Sequence, residues 1–168
     1  TKGYEEWIIN TSKEKVDIEF IKAKQRIMGR VEKALSRMRK GISLITIDPV
    51  VKKAFAMMNQ SMLRQMAHSE NLFTSPKNRN EVPYSRPNYN SEDYNKFSWR
   101  PFQLAFLLVV IESLVKPESE DRDILDLIWF PTGGGKTEAY LGLASFELIY
   151  RRLKFGDKGA GTSVIKRY

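Results

Sequence analysis

Three consecutive glycines followed by Lys136 and Thr137 constrain this chain more than any other feature. The run Phe130-Pro131-Thr132-Gly133-Gly134-Gly135-Lys136-Thr137 lets a backbone curl tightly around a polyanion, because no Cβ blocks the approach of converging N–H donors. In that setting Lys136 reaches β- and γ-phosphate oxygens as a point charge, and the Thr137 hydroxyl is the expected ligand of Mg²⁺. Pro131, Thr132, Gly133, Gly134, Gly135 and Glu138 complete the candidate contacts, and ATP with Mg²⁺ is the expected ligand pair. The competing reading is a glycine-rich turn that holds nothing.

The flanking pattern fits a phosphate loop. Asp126 to Phe130 reads as a buried strand, and Glu138 to Leu153 as a helix whose positive N-terminal end faces the phosphates. The general G-x-x-x-x-G-K-[ST] pattern wants glycine at position 130, where this chain has Phe. Upstream, Ser98 suits an N-cap and Pro101 a first turn, so a helix is expected from Trp99 to about Val115, ending before Pro117. Its run Leu104 to Ile111 is almost wholly apolar, as expected of a helix packed on several sides against a sheet. Gln103 carries a donor and an acceptor suited to the edge of adenine, with Phe97, Trp99 or Phe102 as a stacking partner. A capping or solvated glutamine is the alternative.

The Pro-Thr-Gly-x-Gly-Lys-Thr form of the loop resembles motif I of superfamily 2 helicases, and Gln103 resembles their Q motif. The strings Arg100 to Phe106 and Asp126 to Leu143 are also similar to the helicase-like subunits of the bacterial DISARM anti-phage system. So are Arg37 to Ile42 and Ala54 to Met62. Val164 to Tyr168 resembles the start of motif Ia, which implies DNA-backbone contacts at Lys166, Arg167 and Tyr168. The fold this implies is α/β: the start of a RecA-like P-loop lobe on a parallel sheet, preceded by an α-helical segment. The implied function is an ATP-dependent DNA helicase or translocase in phage defence, with DNA and a DrmB-like subunit as partners. Such a motor needs two lobes, a metal-holding acidic residue after an apolar strand, and an arginine finger. The chain lacks these, so turnover is expected of a longer protein and not of this stretch alone.

Three regions follow from the patterning: a helical segment over 1–70, a loop or linker over 71–97, and the first part of the lobe over 98–168. The net charge of +8 is concentrated in the first. Lys22, Lys24, Arg26, Arg30, Lys33, Arg37, Arg39 and Lys40 face only Glu32, while Phe20, Ile21, Ile27, Met28, Val31, Leu35 and Met38 recur at helical spacing. This basic amphipathic helix either tracks a phosphate backbone or is an ordinary solvated face. Gly41 to Ile47 reads as a connection. Asp48 then caps a second helix, with Pro49 in its first turn and Val51, Ala54, Phe55, Met58, Met62 and Met66 along one side. Those methionines suit an adaptable core or a partner surface.

Prolines and asparagines dominate 71–97, where Tyr84, Tyr89 and Tyr94 either anchor the loop or stack on bases. Arg151, Arg152 and Lys154 complement a helix dipole. With no cysteine, disulfides and zinc knuckles are excluded, and His68 has no metal-ligand partner at a suitable spacing. The apolar run Leu104 to Ile111 is far short of the ~20 residues a bilayer needs, so a soluble, cytoplasmic protein without a membrane partner is expected. A second functional class stays open: a DNA- or partner-binding module in which ATP is a structural ligand or switch without turnover.

Overall fold

The computed structural model describes residues 1–74, 86–129, 131, 133–158 and 164. Five helices account for most of them: α1 (Lys2–Lys13), α2 (Ile21–Ile47), α3 (Pro49–Thr74), α4 (Pro101–Val115) and α5 (Lys136–Phe155). No strand occurs among the described residues, which overturns the expected α/β architecture with a parallel sheet. The reason lies in what makes a strand. Residues 124–129 carry the apolar pattern of one, but a strand exists only through ladder hydrogen bonds to a neighbour, and no described segment supplies them. Burial alternates along this stretch, with Leu125, Leu127 and Trp129 at 93%, 77% and 90% exposure.

Helix α4 is the organising element. One side, Leu107, Ile111 and Val115, joins Val51, Ala54, Met58 and Met62 of α3 and Phe146 and Tyr150 of α5 in the main core. Its other side, Ala105, Leu108 and Val109, packs against a second cluster built from Ile8 of α1 and Leu35 and Met38 of α2. The nearly continuous apolar run is thus explained by burial on several sides, as expected, but against helices and not against a sheet.

Glycine sets one of these contacts. A Cβ on Gly41 would stand 2.1 Å from the Leu108 carbonyl oxygen, so only glycine lets α2 cross α4 at that distance. This is why the expected connection at Gly41 to Ile47 is helical: the segment is held by α4, and the chain turns only at Asp48. Asp48 caps α3 as the sequence implied, its carboxylate accepting from the Val50 and Val51 amides at 2.8 and 3.1 Å. Helix α1 lacks a counterpart in the sequence reading. Its last carbonyls are satisfied by the Lys24 ammonium, which donates to Ser12 at 2.8 Å and also to Glu14.

Candidate nucleotide site

The loop and the start of α5 have the form the motif demands. Gly133 and Gly135 adopt φ of +79° and +88°, a region that strains any residue with a side chain. The Gly134 amide donates to the Pro131 carbonyl at 3.1 Å, and Gly135 is the N-cap of the 20-residue α5. Lys136 and Thr137 open the helix, at the end whose dipole favours an anion. The Lys136 ammonium donates to the Pro131 carbonyl at 3.0 Å. Thr137 is exposed, and Glu138 lies in the first turn of α5. Among the candidate residues, Thr132, Lys166, Arg167 and Tyr168 lie outside the described residues.

Gln103 is brought to the loop, 4% exposed, with both ends of its amide committed to backbone. Its Nε2 donates to the Gly135 carbonyl at 2.7 Å and its Oε1 accepts from the Arg100 amide at 2.8 Å. The second bond satisfies the amide of the N-cap residue Arg100 at the start of α4. Arg100 adds a grip on the next peptide, Nη1 donating to the Gly134 carbonyl at 2.9 Å. A Cβ on Gly135 would stand 2.7 Å from Gln103 Nε2, so the glycine is required by the close approach as well as by its φ. The loop is therefore held from α4, by a glutamine the sequence singled out and an arginine it did not.

A cavity of about 360 Å³ opens beside the loop. Gly133, Gly135 and Glu138 border it, Phe97 to Arg100 and Gln103 form a second side, and Asn59, Met62, Leu63 and Met66 of α3 form the third. Of the three aromatics considered for stacking, Phe97 and Trp99 line this cavity. Phe102 lies along a different hollow with Tyr4 and Met38. Trp99 Nε1 donates to Asn59 Oδ1 at 2.6 Å, and its ring covers Gly142 of α5, where a Cβ would stand 2.7 Å away. The α3 wall was not legible in sequence, since Asn59 and Trp99 are 40 positions apart and nothing local signals the contact.

The basic helix turns one of its charges, Arg37, inward and keeps most of the others exposed. Arg37, with a side chain 7% exposed, bonds both oxygens of Asp126 at 2.6 and 2.7 Å and reaches Asp121 at 3.5 Å. The Asp126 hydrogen bond raises the Arg37 pKa against the opposing effect of burial. Lys33 and Lys40 also meet Asp121, at 3.4 and 3.5 Å, and Lys40 meets Glu112 at 3.5 Å. Burial pushes the Asp121 carboxyl up, but Lys33, Arg37 and Lys40 together hold it below its ordinary value. Lys22, Arg26 and Arg30 remain exposed on α2.

Elsewhere, His68 Nε2 lies 2.6 Å from the Tyr89 hydroxyl, a structural contact, and no metal-ligating cluster occurs among the described residues. Arg64 of α3 and Arg86 stack over the Tyr89 ring, so Tyr89 anchors the segment that leads to α4, while Tyr94 stacks on Phe97 within that segment. Tyr84 lies outside the described residues. No helix is long and apolar enough to cross a membrane, among the described residues.

Fold and site together define a helical segment whose fourth and fifth helices hold a glycine-rich loop between them; no protein-family model matches it. The chain is 38% identical to the DISARM protein DrmA of Bacillus paralicheniformis over an alignment of 172 positions that covers 98% of the chain, and so matches a segment of that protein. It spans 14% of the length of that curated relative.

Proposed function

We propose that this chain is the nucleotide-binding segment of an ATP-dependent DNA helicase or translocase acting in phage defence. The observation that carries the reading is the loop itself: Gly133 and Gly135 in left-handed conformation, followed at once by Lys136 and Thr137 at the head of α5. Similarity to a DISARM protein along nearly the whole chain supports the biological setting.

In this reading the Gly133, Gly135 and Lys136 amides and the Lys136 ammonium take the β- and γ-phosphates, while the Gly134 amide keeps its bond to the Pro131 carbonyl. The ammonium exchanges its bond to the Pro131 carbonyl for phosphate oxygens as the nucleotide enters. Arg100 and Gln103 keep the Gly134 and Gly135 carbonyls turned toward α4, so the loop's N–H groups are presented without rearrangement. Thr137 is the residue suited to Mg²⁺, which when bound neutralises charge on the phosphates. DNA and a DrmB-like subunit are the proposed partners of the full-length protein.

A second reading, nucleotide as a structural switch without turnover, is favoured by the way the loop is tied to the helical segment through Arg100, Gln103 and Trp99. Phosphate release from ATP by the full-length protein, with and without DNA and beside its Lys136→Ala variant, separates the two. DNA-stimulated release that the substitution abolishes supports the motor. ATP binding without release under any condition supports the switch, and release unchanged in Lys136→Ala overturns the assignment of the loop.

A further inference from the structure

The basic residues of α2 between Lys22 and Lys40 fall into three sets. Lys24 and Arg39 are tied to α1 and its C-cap, through the Ser12 and Glu14 carbonyls and the Glu5 carboxylate. Lys33, Arg37 and Lys40 meet the carboxylates of Glu112, Asp121 and Asp126. Lys22, Arg26 and Arg30 are exposed and have no hydrogen-bond or ion-pair partner among the described residues.

The last two sets form one row. Lys22, Arg26, Arg30, Lys33, Arg37 and Lys40 follow one another at steps of three or four positions, so they share a single face of the helix. The C-terminal half of the row already holds a line of carboxylates, and the N-terminal half continues it with no anion opposite. Each four-residue step advances about 6 Å along the axis, close to the separation of successive phosphates along a nucleic-acid strand. Gly29 lies beside the row between Arg26 and Arg30, where a Cβ would meet nothing within 4 Å. Glycine inside a helix is destabilising relative to alanine, and no contact within the chain requires it here. Its bare backbone leaves that side low enough for a polymer to lie against the helix.

The chemistry narrows the partner. The guanidinium forks of Arg26 and Arg30 match the paired oxygens of a phosphodiester. No aromatic side chain interrupts the row, as base stacking on a single strand would need. Met28, Val31, Leu35 and Met38, on the other side of α2, pack against α1 and α4 and are not free to enter a lipid surface.

We propose that Lys22, Arg26 and Arg30 of α2 form a contact surface for the phosphate backbone of duplex DNA, one phosphate to each side chain, without reading sequence. This rests on the DNA partner proposed above and names a surface for it that uses no residue of the glycine-rich loop.

The test is fluorescence anisotropy of a labelled duplex with the full-length protein over a series of salt concentrations, with and without ATP. Three proteins are compared: the unmodified one, the row variant Lys22→Ala/Arg26→Ala/Arg30→Ala, and a control, Lys13→Ala/Lys52→Ala/Lys53→Ala, that removes the same charge from exposed positions elsewhere. The row variant should flatten the slope of log affinity against log salt by about 2.7, about 0.9 for each lost phosphate contact, and weaken binding at least about tenfold at ~0.1 M salt. The control should change the slope by less than about 1. Equal changes in the two variants overturn the proposal, since net charge alone is then acting, and so does an unchanged slope in the row variant. If the row variant loses helix by circular dichroism, the three single substitutions decide, each expected to remove about 0.9 from the slope. Lost binding to poly-L-glutamate with DNA binding intact assigns the row to an acidic protein segment instead. If the unmodified protein binds no DNA at any salt, the DNA partner falls and this surface with it; DNA binding that survives the row variant defeats only the surface.

Discussion

Arg37 of α2 and Asp126, five residues ahead of Pro131, form a two-pronged ion pair with N–O distances of 2.6 and 2.7 Å. The pair spans 89 positions of sequence and pins the extended stretch that leads into the glycine-rich loop onto the helical segment. A buried guanidinium deprived of its partner is costly, and so is a carboxylate left facing the vacancy.

Truncation at this point should therefore hurt more than its surface counterparts. Arg37→Ala is expected to cost about 3 kcal/mol of stability, against less than about 1 kcal/mol for Arg39→Ala, whose bond to Glu5 is largely exposed. Denaturant unfolding of the two variants measures the difference, and equal losses would show that the buried pair contributes no more than a surface one.

The two close glycine contacts are expected to differ. At Gly41 the obstacle is the Leu108 backbone oxygen, which cannot give way without moving α4, so Gly41→Ala should cost about 3 kcal/mol. At Gly142 the obstacle is the Trp99 ring, a side chain with room to shift, so Gly142→Ala should cost about 1 kcal/mol. Thermal unfolding of both variants ranks them; the reverse order would mean that the α2–α4 crossing yields more easily than the tryptophan.

The cluster around Asp121 makes stability sensitive to acid. Its carboxyl is held below the ordinary value of 3.8, so the unfolded chain takes up the proton first as pH falls. The contribution is fully present above the unfolded value and is lost as pH falls through the lower folded one. Asp121→Asn should flatten that part of the stability profile, which denaturant midpoints recorded from neutral pH downward test directly.

Gln103 offers a discriminating substitution. If it positions the loop, Gln103→Ala weakens ATP and tripolyphosphate alike, by about tenfold for the loss of a buried bond to Gly135 worth about 1.4 kcal/mol. A residue that reads the base would weaken ATP and leave tripolyphosphate unchanged. Competition binding with the two ligands tells these apart.

Local signals carried much of the helical structure. Asp48 with Pro49, the apolar run after Pro101 and the glycine triplet before Lys136 marked the starts of α3, α4 and α5, because capping and turn chemistry act over a few residues. The sheet was misread for a physical reason: Asp126 to Phe130 has strand composition, yet pairing belongs to two segments at once and composition describes one. Arg37 was read as part of a basic outer face because its helix looks solvated until Asp121 and Asp126 are placed beside it. The α3 wall of the cavity escaped for the same reason, as Met62 and Met66 carry no mark that separates core from pocket.

Trp99 gives the molecule a built-in optical reporter. It is partly buried, hydrogen-bonded to Asn59, stacked over Gly142 and part of the cavity lining, whereas Trp7 and Trp129 stand 48% and 90% exposed. Its emission is expected to lie to the blue of theirs and to be the component that changes if a ligand enters the cavity. Ligand entry can thus be followed without a label, and a Trp99→Phe protein supplies the silent control.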